Sequence, residues 1–165
     1  MTEWRKGFLK TLPAVFRGAT KTTLDAKGRL AIPTKYREKL LARCEGNVVV
    51  TVDRQRCLLI YPLRDWEDIE RELNRLPSSN PKVRAYRQMM VGFATDVDLD
   101  SAARLLVPKE HREFASIERQ TWLIGQGTRF ELWDQSRWDA KTNGWVDISA
   151  EDDGEMPPEL AAIPW

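Results

Sequence analysis

The hydrophobic pattern of the chain changes period several times. Residues 48–53 (VVVTVD) and 57–62 (CLLIYP) are short apolar runs separated by the polar Arg54-Gln55-Arg56, which predicts a hairpin of buried strands. Over 63–76 the apolar positions are Leu63, Trp66, Ile69, Leu73 and Leu76, the spacing of a helix. Its acidic residues come early, where the helix dipole favours them. The loop PSSNP at 77–81 interrupts the pattern, and Pro81 opens a further helix. Upstream, 20–24 is a β-prone segment ending in the turn Asp25-Ala26-Lys27-Gly28, and 29–32 reads as a second short strand. Pro33 suits the first position of a helix through Tyr36, Arg37, Leu40 and Leu41, because its missing N–H would be unpaired there anyway.

The same order then recurs. Residues 19–38 and 94–113 align without gaps at an offset of 75, with nine identities in twenty positions, among them Leu24/Leu99, Asp25/Asp100, Arg29/Arg104 and Pro33/Pro108. The similarity resumes at an offset of 72, where Tyr61 meets Trp133 and Trp66 meets Trp138. The chain therefore contains a duplicated unit. The second copy continues through TWLIGQ (121–126), RFELWD (129–134) and a last helix near 134–142. Such short strands bury too little in one flat sheet. The expected fold class is α+β: two tandem β-β-α-β-β repeats closing into a small barrel that hides its strand edges, with flanking helices. The expected divisions are an extension at 1–14, a first repeat at 19–65, inter-repeat helices at 66–93, a second repeat at 94–137, and a helix end with acidic tail at 138–165.

Overall charge narrows the function. Against 26 Lys+Arg stand 25 Asp+Glu, a net of +1, so bulk charge cannot drive binding to a polyanion. No apolar run approaches the roughly 18 residues of a membrane span, and residues 1–14 lack the apolar stretch of a secretory signal. Cys44 and Cys57 have no metal-ligand spacing, which makes a reduced, cytosolic protein the expectation. A lone His111 argues against His-centred catalysis, and neither cofactor nor enzyme activity is expected. Placement of charge is uneven, however. Residues 15–44 hold eight basic and two acidic side chains, whereas 92–117 hold three and five. Only the first repeat has the footprint of a phosphate-binding surface. On charge alone, a solvated basic face explains it equally well.

The turn chemistry is repeated too. Asp25 and Arg29 flank a turn in which Gly28 can take positive φ, and an ion pair across it would fix the loop. Asp100 and Arg104 keep that pair in a copy without basic surroundings, so Asp25, Gly28, Asp100 and Arg104 read as structural. Tyr61, Trp66, Trp133 and Trp138 read as core or subunit contacts, and His111 as a partly exposed helix residue. Asp96, Asp98 and Asp100 alternate along a strand, but Ser101 and Val107 stand where an EF-hand needs Gly and Glu, so no metal is expected.

The two motifs Asp25-Ala-Lys-Gly-Arg29 and Asp100-Ser-Ala-Ala-Arg104, each followed by a strand and a Pro-initiated helix, resemble the DxxxR signature of the MraZ family. VFRGAT (15–20), DAKGRLAIPTKYRE (25–38), CLLIYPLRDWE (57–67) and TRFELWD (128–134) extend the resemblance over roughly 15–142. It implies a swapped-hairpin, AbrB-like barrel and a bacterial transcriptional regulator at the head of the division and cell-wall gene cluster. That regulator would bind repeated boxes in its own promoter as a ring-shaped homo-oligomer on the nucleoid. On this reading Arg17, Lys21, Lys27, Arg29 and Lys35 contact double-stranded DNA, with Asp25 orienting Arg29. Arg29 is suited to guanine O6 and N7, the commonest specific base contact. Val15 stands where the family has Met, so translation from a GUG codon at Val15 is expected, with 1–14 a start-site artefact. Ala103 replaces Gly28 in the second motif. The tail from Trp145 carries six acidic and no basic residues. An AbrB-like antitoxin wrapping a toxin with 147–159 is the alternative, disfavoured by the two copies, and a metal-dependent nuclease is a distant third.

Overall fold

The computed structural model describes residues 15–151 and 156–165; the extension at 1–14 and residues 152–155 of the acidic tail lie outside the described residues. The first repeat comprises β1 (Phe16–Thr23), β2 (Arg29–Ala31), α1 (Thr34–Cys44), β3 (Asn47–Val52) and β4 (Leu58–Pro62). Helices α2 (Leu63–Arg75) and α3 (Pro81–Met90) follow. The second repeat comprises β5 (Thr95–Asp98), β6 (Arg104–Leu106), α4 (Lys109–Phe114), β7 (Gln120–Gly127) and β8 (Arg129–Asp134). A separate compact unit, Ser136–Trp165, holds nearly all of α5 (Gln135–Glu151) and the single turn α6 (Pro158–Ala161).

The repeats exchange their first strands. β1 runs antiparallel to β7 of the second repeat, from Phe16↔Gly127 to Thr23↔Gln120, and β5 pairs with β3 of the first. The hairpins β3–β4 and β7–β8 meet through β4–β8, giving a six-stranded sheet in the order β1-β7-β8-β4-β3-β5. β2 and β6 form a second, two-stranded ribbon. Every pairing has its counterpart on exchanging the repeats, so the main unit has pseudo-twofold symmetry. Sheet and ribbon enclose one core, in which Leu30 and Leu105 of the ribbon join Val48, Val50, Ile60, Leu123 and Leu132 of the sheet. Phe16, Tyr36 and Phe130 form an aromatic cluster there, Phe16 lying 4.3 Å and Tyr36 4.9 Å from Phe130 between ring centroids.

The antiparallel α+β plan agrees with the sequence reading, but sheet and ribbon are not hydrogen-bonded into one ring of strands: β1 and β5 are the edges of the larger sheet. Each ribbon strand is three residues long and pairs with the other alone among the described strands. β1 begins at Phe16, four residues earlier than alternation suggests, because its partner β7 supports it along its full length. Pro33 is the N-cap of α1 and not its first residue, with an extended ψ of 139° that ends the strand segment before the helix starts. Pro81 is the first residue of α3, behind the cap Asn80, whose side chain accepts from the Lys82 N–H at 2.9 Å. α5 reaches Glu151, well past the expected end near 142.

Candidate nucleic-acid interface

The turn between β1 and β2 is organised around one carboxylate. Asp25 Oδ1 accepts the backbone N–H groups of Lys27 and Arg29, both at 2.9 Å, and Oδ2 accepts Arg29 Nε at 2.6 Å. The pair engages Arg29 through Nε; its two terminal nitrogens make no hydrogen bond among the described residues. The Arg29 N–H, the guanidinium and the Lys27 N–H hold the Asp25 carboxyl at about 2, against an ordinary 3.8. The second turn repeats the arrangement, with Asp100 accepting from Ala102 N, Arg104 N and Arg104 Nε at 2.9 Å each. The Arg104 N–H, with that of Ala102, likewise lowers Asp100.

Gly28 has φ +82°, the left-handed conformation the turn requires. A Cβ on Gly28 would stand 2.9 Å from Cζ of Arg112, which belongs to α4 of the other repeat. Arg112 is oriented by donating Nε to Val107 O at 3.2 Å, as Arg37 donates to Ile32 O at 2.7 Å. Thus the ribbon pairing of β2 with β6, with Val107 N–H donating to Gly28 O at 3.0 Å, brings a third cation to the Asp25–Arg29 turn. Sequence reasoning missed it; the identity of Arg37 and Arg112 in the repeat alignment was the available signal.

The ribbon joins the two turns. Arg29 lies opposite Leu106 and Ala31 opposite Arg104, while Leu30 and Leu105 face inward with no exposed surface. Side chains alternate across a strand, so Arg29, Ala31, Arg104 and Leu106 share the outward face. The two arginines are diagonal neighbours, about 7–8 Å apart in a regular antiparallel pair.

The remaining candidates fall elsewhere. Arg17 and Lys21 are exposed on the outward side of β1, where Lys21 Nζ lies 5.4 Å from the centre of the Trp122 ring. Tyr36 OH donates to Arg17 O at 2.6 Å, and the adjacent Lys35 Nζ lies 4.9 Å from the Tyr36 ring centre and 3.2 Å from where a Cβ on Gly18 would stand, so Lys35 lies beside the β1 backbone next to Arg17. The five candidates therefore form three groups: Lys27 with Arg29 on the turn, Arg17 with Lys35, and Lys21 beside Trp122. At their counterparts the second repeat has Ala102, Arg104, Gly92, Glu110 and Asp96, so only Arg29 has a basic equivalent.

The aromatic and histidine expectations resolve plainly. Trp66 and Trp133 are buried, and Trp138 packs edge-on against Trp145 at 5.5 Å. His111 is not a partly exposed residue: it is 4% exposed, and its Nε2 lies 2.6 Å from Phe93 O, which places the proton on Nε2. Phe93, which precedes β5, covers it edge-on. Asp96 and Asp98 share one side of β5, but among the described residues no three His, Cys, Asp or Glu side chains converge as metal ligands. Among the same residues no helix is long and apolar enough to cross a membrane.

Comparison with known proteins places this architecture. The model of the MraZ protein family, described as antitoxin-like, matches residues 15–88 and again 90–153. The chain belongs to the MraZ family. The two matches divide it close to the boundary between α3 and β5, in keeping with the duplication. Among relatives named transcriptional regulator MraZ, that of Nitrosomonas europaea is 48% identical over 146 residues, covering 88% of this chain and 97% of the relative. Those of Halorhodospira halophila and Coxiella burnetii are 45% and 41% identical over 150 residues, covering 90% of this chain and 99% of each relative.

Proposed function

We propose that this MraZ-family chain is a transcriptional regulator that reads double-stranded DNA with the outward face of the β2–β6 ribbon and the Asp25–Arg29 turn. One observation carries the reading. Arg29 stands on the outward ribbon face, held through Nε by Asp25, and adjoins Lys27 and Arg112, whereas its counterpart Arg104 has Ala102 in place of that lysine. A two-stranded ribbon fits the roughly 12 Å major groove, where arginine contacts guanine edges. Arg17, Lys21 and Lys35 supply phosphate contacts around it, which fix register without reading sequence. The first repeat dominates because the second puts Asp96 and Glu110 where the first has Lys21 and Lys35. Asp25, Gly28, Asp100 and Arg104 act by shaping the turns.

The finer expectations belong to the same proposal. Sheet and ribbon are the two sides of an AbrB-like, swapped-hairpin barrel, built from repeats spanning 19–65 and 94–137. Its sites are repeated boxes in its own promoter, upstream of the division and cell-wall genes, and it resides on the nucleoid in the cytoplasm. It assembles as a closed homo-oligomer, because one patch touches few phosphates and linked patches gain by effective concentration. The apolar stripe of Ile69 and Leu73 on α2 with Leu76 at its C-cap, which lines a shallow hollow of about 380 Å³, is available for the subunit contact.

A gel shift with the upstream region of the chain's own gene tests this. Arg29→Ala should weaken binding by about 5- to 150-fold, the cost of about 1–3 kcal/mol expected for a bidentate base contact. Arg104→Ala should act mainly on stability. Equal loss of binding in both variants, each folded, overturns the assignment to the first repeat; no shift by the native protein overturns DNA binding itself.

A further inference from the structure

The outward ribbon face holds an apolar side chain that the reading above does not use. Leu106 is 51% exposed, whereas its neighbour Leu105 is fully buried, and it lies directly opposite Arg29. Opposed side chains in an antiparallel pair have Cβ atoms about 4.5–5.5 Å apart. A large aliphatic group therefore stands in water beside the arginine proposed to contact a base. Its counterpart in the repeat is Ala31, beside Arg104. The four-residue face is thus nearly symmetric in its cations and asymmetric in its apolar groups.

That asymmetry has a chemical meaning in the major groove. Lys21, Lys27 and Lys35 favour the first repeat through charge, whereas within the ribbon face itself the two halves differ only in Leu106 against Ala31. The thymine C5-methyl is the apolar feature a major groove presents, and aliphatic side chains contact it. Base pairs rise by about 3.4 Å, so a side chain about 5 Å from Arg29 reaches the pair adjoining the one Arg29 contacts. We propose that Leu106 is a specificity-determining residue that packs against a thymine methyl beside the Arg29-contacted base pair and so adds a second base to the sequence the ribbon reads. The proposal rests on the DNA-binding reading above. Charge complementarity selects the occupant, since the apolar group shares its face with Arg29 and Arg104, each oriented by the aspartate of its own turn.

The test uses the full-length protein and the shortest duplex it protects in the upstream region of its own gene. Each thymine is replaced in turn by deoxyuridine, which removes the methyl and keeps the base pairing. Fluorescence anisotropy should show one replacement that weakens the native protein about fourfold, the worth of one methyl withdrawn from water. The Leu106→Ala variant should bind the unmodified duplex about that much more weakly and be indifferent to that same replacement, the non-additivity of groups in contact. Its slope of affinity against salt should not change, because no phosphate contact is lost. If the native protein binds but no replacement matters, or the sensitive one matters equally to Leu106→Ala, the proposal fails while DNA binding stands. A fall in assembly mass for Leu106→Ala also overturns it, by making Leu106 a subunit contact. Absence of binding by the native protein removes both readings.

Discussion

Gly28 and Ala103 occupy the same position in the two turns, and both are left-handed, with φ of +82° and +56°. The second turn has kept the conformation without the residue that adopts it freely. A left-handed non-glycine costs roughly 1–2 kcal/mol, partly offset by glycine's greater loss of freedom on folding. Ala103→Gly should therefore stabilise the protein by up to about 1 kcal/mol and raise Tm by about 2–4 °C, measured by thermal unfolding. Gly28→Ala has the reverse sign and a second effect, since its Cβ would displace the guanidinium of Arg112. DNA affinity should fall in this variant by more than the stability loss accounts for. Acid acts on the same turn. With Asp25 held at about 2 against 3.8, its bonds to Lys27 and Arg29 are complete above about pH 4 and are lost as pH falls toward 2. Stability contributed by the turn declines over that window, and Asp25→Asn should flatten it in urea-unfolding midpoints taken between pH 2.5 and 5. The carboxylate and its arginine were legible in the sequence because they lie four residues apart in one turn. Arg112 and Leu106 were not, because they arrive at the turn from the other repeat.

Elements were legible where their own periodicity decides them. The hairpin β3–β4 and helix α2 follow from runs of apolar residues and from the 63, 66, 69, 73, 76 spacing. β1 was read four residues short because Arg17-Gly18-Ala19 has no alternation, and its pairing comes from a strand a hundred residues later. Burial of His111 was hidden for the same reason: its cover, Phe93, lies outside its own helix. One contact between elements invites measurement. Arg43 of α1 and Asp65 of α2 form a two-pronged ion pair at 2.8 and 3.1 Å, with side chains 9% and 10% exposed. Removing Asp65 takes from the buried Arg43 its two-pronged carboxylate partner, so Asp65→Ala should cost roughly 3 kcal/mol, whereas replacing both by Met and Leu should be nearly neutral. Comparing chemical-denaturation midpoints of the single and double variants checks this; an equal loss in both would mean that packing, and not the charge, is what Asp65 supplies.

At the scale of the molecule, the duplication fixed the expectation of an α+β fold from two units, yet not which strands pair. Identical apolar patterns serve whether each repeat closes on itself or lends its first strand to the other. The proposed assembly is tested here as well. Light scattering should give a mass several times 19.1 kDa, and Leu73→Glu with Leu76→Glu should reduce it toward one subunit with the fold intact. A monomeric native protein would contradict the ring. Exchange of strands also has a consequence for synthesis. β1 is among the first elements of the described chain to be made, but its partner, residues 120–127, comes about a hundred residues later. At about 5–20 residues per second, a nascent chain holds that edge open for about 5–20 s, and the ribbon strand β2 waits nearly as long for β6. The first repeat thus leaves the ribosome as an incomplete sheet that can borrow a strand from a neighbouring nascent chain. Chaperone occupancy during that interval, and entangled dimers when translation of the second repeat is slowed, are the cellular costs of building the site from both halves.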